Sequence, residues 1–361
     1  MTTLQVVSGP RAPDKPLSDT IHPNPNPELT FTVGTRKSKL AQKQTDLAVA
    51  AATQSFPEYS FIIKARDTAA GDIDKITPFK DMTVKNIWTH ELEAMMLERQ
   101  LDFLVHSLKD VPTQLPENCE IGATLSREDS RDAFVVKAGQ ETHVRRIQDL
   151  PAGAVVGTSS IRRTAQIALR YPHLVVKDVR GNVGTRLSKL DADDGEFDAL
   201  ILASAGLLRL DLGHRITQFL SSKDGGMLYA VGQGAIGIEN RVDDTRTKGL
   251  MRKINHLPTF YATAAERSLL RTIEGGCSAP LGVETEWTGE GQEQLVLRAM
   301  VVSVDGKEYA EVELSEKVTR VEEAESLGQA AASEILRRGA DKILAEIKAK
   351  KPTTPADLEE K

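Results

Sequence analysis

Leu29-Thr-Phe-Thr-Val33 alternates apolar and polar positions, the period of a half-buried strand, and ends in Gly34-Thr35 before a helical pattern opens near Lys39. Leu40, Leu47 and Ala51 recur along that pattern and predict a helix over 39–53. Tyr59–Ala65 reads as a second strand, whereas 66–86 is polar, contains glycine and has no period, which predicts a mobile loop over a site. Leu92, Met95, Met96 and Leu97 mark a helix starting at Thr89 or His90. A short buried strand, Leu101–His106, then leaves through Ser107-Leu-Lys-Asp-Val-Pro112, where the proline stops regular structure and leaves Lys109 and Asp110 at a strand end.

A second unit of the same kind begins near Asp129. It runs through strands at 133–137, 154–158, 174–179 and 199–203, with helices at 160–170 and 184–191, and 227–241 returns as a strand-rich stretch. Strands alternating with helices imply a mostly parallel sheet, whose ligands bind beyond the C-terminal strand ends. Arg36, Asp110 and Ser159 all fall at such ends. The last hundred residues change character. A helix at 258–273 is followed by strands at 281–288, 294–303 and 308–315 and by one long helix from Val321 to Lys348, the pattern of a small α+β unit.

Val-Gly-Thr occurs three times, at 33–35, 156–158 and 183–185. In the first two copies a strand stops at glycine and passes to hydroxyl and cationic residues at a helix start: Arg36-Lys-Ser38 in one, Ser159-Ser-Ile-Arg-Arg163 in the other. Free N–H groups, the positive dipole end and the side chains then face one way, forming an anion cradle. Two cradles in separate halves suggest two lobes gripping one polyanion. The third copy follows Arg180-Gly-Asn182 and reads as a separate basic turn.

Charge sharpens the ligand. The segment 157–190 holds seven cations against one acid, a net +6 that leaves −12 on the remainder of a chain whose total is −6. A basic pocket in an acidic protein favours a compact anion over a nucleic-acid backbone, and 4% aromatic residues leave few platforms for stacking bases. No apolar run approaches a membrane span. Residues 1–28 carry six prolines and no hydrophobic core of a secretory signal, so a disordered tail is expected. The two cysteines, Cys119 and Cys277, give no disulfide framework and suit a reducing compartment such as the cytoplasm.

Gly232-Gln-Gly-Ala-Ile-Gly237 matches a dinucleotide pattern, but no glycine-opened helix and no acid about twenty residues on accompany it. Metal-ligand spacings are absent from the sequence. Cys277, between Gly276 and Ser-Ala-Pro280, reads either as a small buried hydrophobe or as a thiol held out for something bulky; Cys119 reads as structural. Asp110 beside Lys109 is either a solvated turn pair or a carboxylate placed to stabilise a cation. Of Arg162 and Arg163, only one neighbour is expected to point at a given ligand.

Seven motifs in register carry a resemblance: Val33-Gly-Thr-Arg-Lys-Ser38, Val105-His-Ser-Leu-Lys-Asp-Val-Pro-Thr113, Gly157-Thr-Ser-Ser-Ile-Arg-Arg163, Val179-Arg-Gly-Asn-Val-Gly-Thr-Arg-Leu187, Ala203-Ser-Ala-Gly-Leu207, Tyr229-Ala-Val-Gly-Gln-Gly-Ala235 and Glu274-Gly-Gly-Cys-Ser-Ala-Pro280. Over about 30–345 the chain resembles the hydroxymethylbilane synthase (porphobilinogen deaminase) family. The resemblance implies an α/β fold of two lobes like type II periplasmic binding proteins around a hinged cleft, plus a small α+β C-terminal domain. The division would be 29–127 with 231–255, then 128–230, then 256–361. It further implies a dipyrromethane cofactor joined by a thioether to Cys277, and a monomeric enzyme that condenses four porphobilinogen molecules head to tail. Asp110 matches the family's catalytic aspartate. Arg36, Ser38, Ser107, Lys109, Thr158, Ser159, Ser160, Arg162, Arg163, Arg180, Arg186, Arg209 and Gln233 match positions around cofactor and substrate.

Two departures stand out. His90 replaces a lysine, and the 69–75 segment lacks a threonine and has altered spacing. A two-lobed binding protein without chemistry would explain both cradles, but neither Cys277 nor the third unit.

Overall fold

The computed structural model describes residues 26–66, 87–273, 279–291 and 293–349, with side chains from residue 90 onward in the helix that begins at 87. The expected tail over 1–25, the loop at 67–86 and Cys277 lie outside the described residues. Among those described, no helix is long and apolar enough to cross a membrane.

The first sheet contains β1 (Thr30–Arg36), β2 (Ser60–Arg66), β3 (Phe103–Ser107), β4 (Cys119–Thr124) and a strand from far along the chain, β10 (Ile236–Arg241), in the order β2-β1-β3-β10-β4. The second contains β5 (Asp132–Val136), β6 (Val155–Gly157), β7 (Val175–Lys177), β8 (Ala199–Ala203) and β9 (Gln218–Leu220), in the order β7-β6-β8-β5-β9. The two orders are the same topology. In each, three parallel strands meet an antiparallel fourth, β10 or β5, which lies next to a crossover between the lobes. Neither sheet is as parallel as the alternation of elements implies, because that one strand enters each sheet from the opposite direction.

Alternation in β1 buries Phe31 and Val33 against Phe61 and Phe103, with the Phe31 and Phe61 rings stacked at 5.8 Å. Helices α1 (Lys39–Ser55), α2 (Ile87–Leu97) and α6 (Thr245–Ile254) accompany the first sheet; α3 (Ile161–Arg170), α4 (Val183–Asp191) and α5 (Ser204–Arg209) accompany the second. The third Val-Gly-Thr is not a free turn: Asn182 caps α4 through its side chain, and the helix starts at Val183.

The third sheet is an antiparallel meander of β11 (Leu281–Thr288), β12 (Gln294–Val302) and β13 (Tyr309–Lys317). It packs on α7 (Leu257–Thr272) and α8 (Val321–Ile335). The long final helix breaks at Gly339, whose φ of 109° is left-handed, and resumes as α9 (Asp341–Ala349).

The two crossovers, 125–131 and 221–235, run side by side. Leu125 N donates to Ile236 O at 3.2 Å and Glu128 N to Gly234 O at 3.2 Å. Glu266 of α7 is fully buried and holds both: its carboxylate accepts Arg127 Nη1 and Nη2 at 2.6 and 3.0 Å and Gly232 N at 2.8 Å. Thr285 Oγ1 on β11 adds a third partner at 2.8 Å. The third unit is thereby bolted to the place where the lobes join.

Candidate active site

The two cradles occupy equivalent places, where β1 in one sheet and β6 in the other, each second in its strand order, give way to a helix. Gly34 and Gly157 let the packed leucines come close: a Cβ on Gly34 would lie 2.6 Å from Leu101 Cδ1 and Leu104 Cδ2, and one on Gly157 2.5 Å from Leu200 Cδ2, so those side chains would have to move. Ser38 caps α1 by accepting from Ala41 N at 3.3 Å, and Ser160 caps α3 by accepting from Arg163 N at 3.5 Å. Thr158 is buried and its Oγ1 accepts from Ser160 N at 3.3 Å, while Ser159 Oγ donates to Val179 O. These hydroxyls shape the loops, and the helix N-termini are what the loops present. The starts of α1, α4 and α5 converge between the lobes, since a Cβ on Gly206 would touch Val183 at 3.7 Å and Leu40 at 3.8 Å.

Asp110 closes a single 3-10 turn after β3, with Leu108 buried, Lys109 half-buried and Asp110 exposed. The turn is gripped from several sides. Ser107 Oγ exchanges hydrogen bonds with the Gln44 amide at 2.9 and 3.1 Å, and Leu108 N donates to Ala235 O at 3.0 Å. Arg267 of α7 donates to the Val111 and Pro112 carbonyls at 3.0 and 2.6 Å. Gly232 and Gly234 have φ of 71° and 84°; a Cβ on Gly232 would lie 3.1 Å from Lys109 N, and one on Gly234 3.0 Å from Ser130 Cα. Gly232 therefore serves close approach to the Asp110 turn and Gly234 close approach to the first crossover, and 227–235 is no strand: it holds an isolated bridge from Tyr229 to Val283 and a turn at 231–234.

Facing this turn is the arginine cluster of the second lobe. Arg162 Nη1 donates to Asp132 Oδ2 and Arg163 Nη2 to Asp132 Oδ1, both at 2.7 Å. Both neighbours thus reach one carboxylate, because two long side chains from adjacent positions curl onto an acid lying beside the helix start. Gln233 Nε2 donates to the same Oδ1 at 2.8 Å and to Ser130 O at 2.8 Å. Burial opposes the charge of Asp132, but the two guanidinium groups hold its carboxyl well below the usual range. Burial pulls Lys109 below its usual range; Asp110 opposes this and Arg163 and Arg162 add to it, so the first lobe's lysine feels the second lobe's arginines. Arg186 falls to about 10 through burial and then the Arg163 charge, with Asp178 opposing. Its Nε donates to Gly181 O at 2.8 Å, and Arg180 lies 3.6 Å from Asp178. Arg209 is lowered by burial and donates to Gly234 O at 2.7 Å. Arg36 ends β1. His90 is exposed on α2.

Sequence reasoning missed Asp132, Ser204 and Glu266. Asp132 could have been found by asking which acid neutralises a buried arginine pair. Several atoms in this region are buried without a hydrogen-bond partner: Arg162 Nε, Arg163 Nε, Arg209 Nε, Ser204 Oγ and Gln233 Oε1.

Residues 31–249 match the family model described as "Porphobilinogen deaminase, dipyromethane cofactor binding domain", and 260–337 match its C-terminal domain. The chain belongs to the porphobilinogen deaminase family. It is 47% identical to the porphobilinogen deaminase of Neurospora crassa over 319 residues, covering 87% of this chain and 93% of the relative. Identity to that of Yarrowia lipolytica is 49% over 317 residues, covering 86% and 91%. Among solved structures, the periplasmic VFT2 domain of Bordetella pertussis BvgS is 13% identical, with a TM-score of 0.36 over 67% of this chain and 93% of that one. A dipyrromethane cofactor-binding domain is the larger part of this family member. The orphaned donors on Arg162, Arg163, Arg209 and Ser204 fit such a group, whose carboxylates would satisfy buried N–H and O–H groups.

Proposed function

We propose that this chain runs the porphobilinogen deaminase reaction between its two lobes, with Asp110 as the catalytic carboxylate. One observation carries the reading: Lys109 of the first lobe and Arg162, Arg163 and Arg186 of the second gather beside an exposed aspartate, where burial first and the neighbouring arginine charges after it lower Lys109 and Arg186 from their usual ranges. Such a wall is costly unless a polyanion completes it, and each pyrrole brings two carboxylates. Arg36, Arg162, Arg163, Arg180, Arg186 and Arg209, with the α1 and α3 N-termini, hold those carboxylates. Ser38, Ser107, Thr158, Ser159, Ser160 and Gln233 keep the cradles and the Asp110 turn in shape.

A dipyrromethane held by a thioether to Cys277 would supply the pyrrole carbon to which the first unit is joined. When porphobilinogen reacts, the C–N bond of its aminomethyl group breaks and ammonia leaves. A new C–C bond to the acceptor ring would replace that ring's C–H bond, whose proton is balanced in the ammonia released. Asp110 stabilises the cationic carbon in between, and confinement between the lobes supplies proximity. After four additions water frees linear hydroxymethylbilane. We place the enzyme in the cytoplasm as a monomer, with 29–127 and 231–255 as one domain, 128–230 as the second and 256–361 as the third.

Asp110→Ala tests the core of this. Its circular dichroism should match the parent, while bilane formation falls by about 10²-fold or more. Turnover near the parent rate would refute the assignment. Cys277→Ala should lack the dipyrrole mass in an intact-mass spectrum; a retained increment moves the attachment elsewhere.

A further inference from the structure

Asp132 is the first residue of β5, just beyond the first crossover, and is 1% exposed. Three donors converge on its carboxylate: Arg162 and Arg163 from the first turn of α3, and Gln233 from the second crossover. The same arginines also donate to the main chain, Arg162 to Leu228 O and Arg163 to Ile201 O at 2.8 Å, yet each keeps a buried Nε without a partner. The pair is therefore already half-neutralised by the protein itself. A growing polyanion must shift along these arginines with every addition and finally leave them, and an unmasked pair of buried guanidinium groups would hold carboxylates too firmly for that.

We propose that Asp132 is a positioning residue that acts as an internal competitor for substrate carboxylates on Arg162 and Arg163, keeping the anionic chain reversibly held. The proposal rests on the carboxylate-binding reading above. Its carboxylate occupies N–H groups along one edge of each guanidinium, so an incoming carboxylate finds partial charge and the remaining Nε in place of a full ion pair. Gln233 holds that carboxylate in position from the neighbouring crossover and, through Ser130 O, ties the arrangement to the junction of the lobes.

The test uses the holoenzyme, with inorganic sulfate as a competing anion. In the parent, sulfate should inhibit competitively with porphobilinogen; a parent insensitive to sulfate sinks the carboxylate-binding reading itself. Asp132→Asn should lower kcat by about tenfold while KM stays level or falls, and the half-inhibitory sulfate concentration should drop by about as much. Native mass spectra during turnover should show complexes with added pyrrole units accumulating beyond the parent distribution. A sulfate-sensitive parent with Asp132→Asn unchanged overturns the proposal. So does a raised KM with weaker sulfate inhibition, which would mean that Asp132 only builds the site. Gln233→Glu adds a second acid beside the pair and should move both quantities the opposite way, KM and half-inhibitory sulfate rising together. If Asp132→Asn does not fold, this second variant decides: a KM or sulfate midpoint that stays level or falls overturns the proposal.

Discussion

Glu266→Ala should loosen the bolt between the third unit and the junction of the lobes. Arg127 approaches the carboxylate at 2.6 and 3.0 Å, Gly232 N at 2.8 Å and Thr285 Oγ1 at 2.8 Å. Glu266 is fully buried, and the Arg127 side chain, 13% exposed, has little water to turn to. Burial disfavours the Arg127 charge, and the adjoining Glu266 carboxylate more than reverses that, raising its pKa. Without Glu266 the guanidinium becomes a buried cation lacking its counter-ion, which costs about 3–5 kcal/mol. The orphaned Gly232 N–H costs about 1–3 kcal/mol more, partly overlapping, so about 4–6 kcal/mol is expected in all. Guanidinium-chloride unfolding followed by Trp287, whose indole donates to Pro258 O at 3.1 Å, reports the affected region. A chain with three sheets need not unfold in one step, so the comparison belongs on that transition. Arg127→Leu in the same background should recover about 2–3 kcal/mol of the summed single losses. A loss under about 1 kcal/mol for Glu266→Ala, or additive losses in the cycle, would refute the reasoning.

Two further outcomes follow from close packing and from a suppressed thiol. Gly328→Ala would raise the stability of an ordinary exposed helix by about 1 kcal/mol. Here the new Cβ would lie 2.8 Å from Leu269 N and press on the Ala265 carbonyl of α7, so a loss of about 1–3 kcal/mol is expected on the same denaturation curve, and a gain would contradict the packing. Cys119 is pushed up to about 12 by burial and then by Glu239, so it should escape iodoacetamide at pH 8 in the native chain. Peptide mapping that finds it alkylated at the rate of a free thiol would show that its surroundings are wrongly described.

The strands and helices with a clear period were legible in the sequence, β11 to β13 of the last unit among them, whereas the short helices α5 and α6 were not. So was the pairing of the two strand–glycine–helix junctions. What escaped was set by long-range partners. β4 and β9 are short strands whose pairing is supplied by β10 and β5, so no local alternation announces them. The long final helix looked continuous because a single glycine in a helical pattern gives little warning of a left-handed break. The charge of the basic segment was plain, but the burial of Arg162 and Arg163 against Asp132 did not show. An arginine pair on a helix reads as solvated until the acid that reaches it is placed in space.

The common strand order of the two lobes also dictates when each becomes able to fold. All five strands of the second sheet lie within 132–220, so that lobe is complete once this stretch has left the ribosome. The first sheet must wait for β10 at 236–241, whose residues are all buried between β3 and β4. Until it arrives, β4 has no neighbour and the inner edge of β3 stands unpaired, an exposed edge of the kind that invites misassembly. During synthesis the lobe that begins first is therefore finished after the second, and its Asp110 turn takes shape around a strand made more than a hundred residues later.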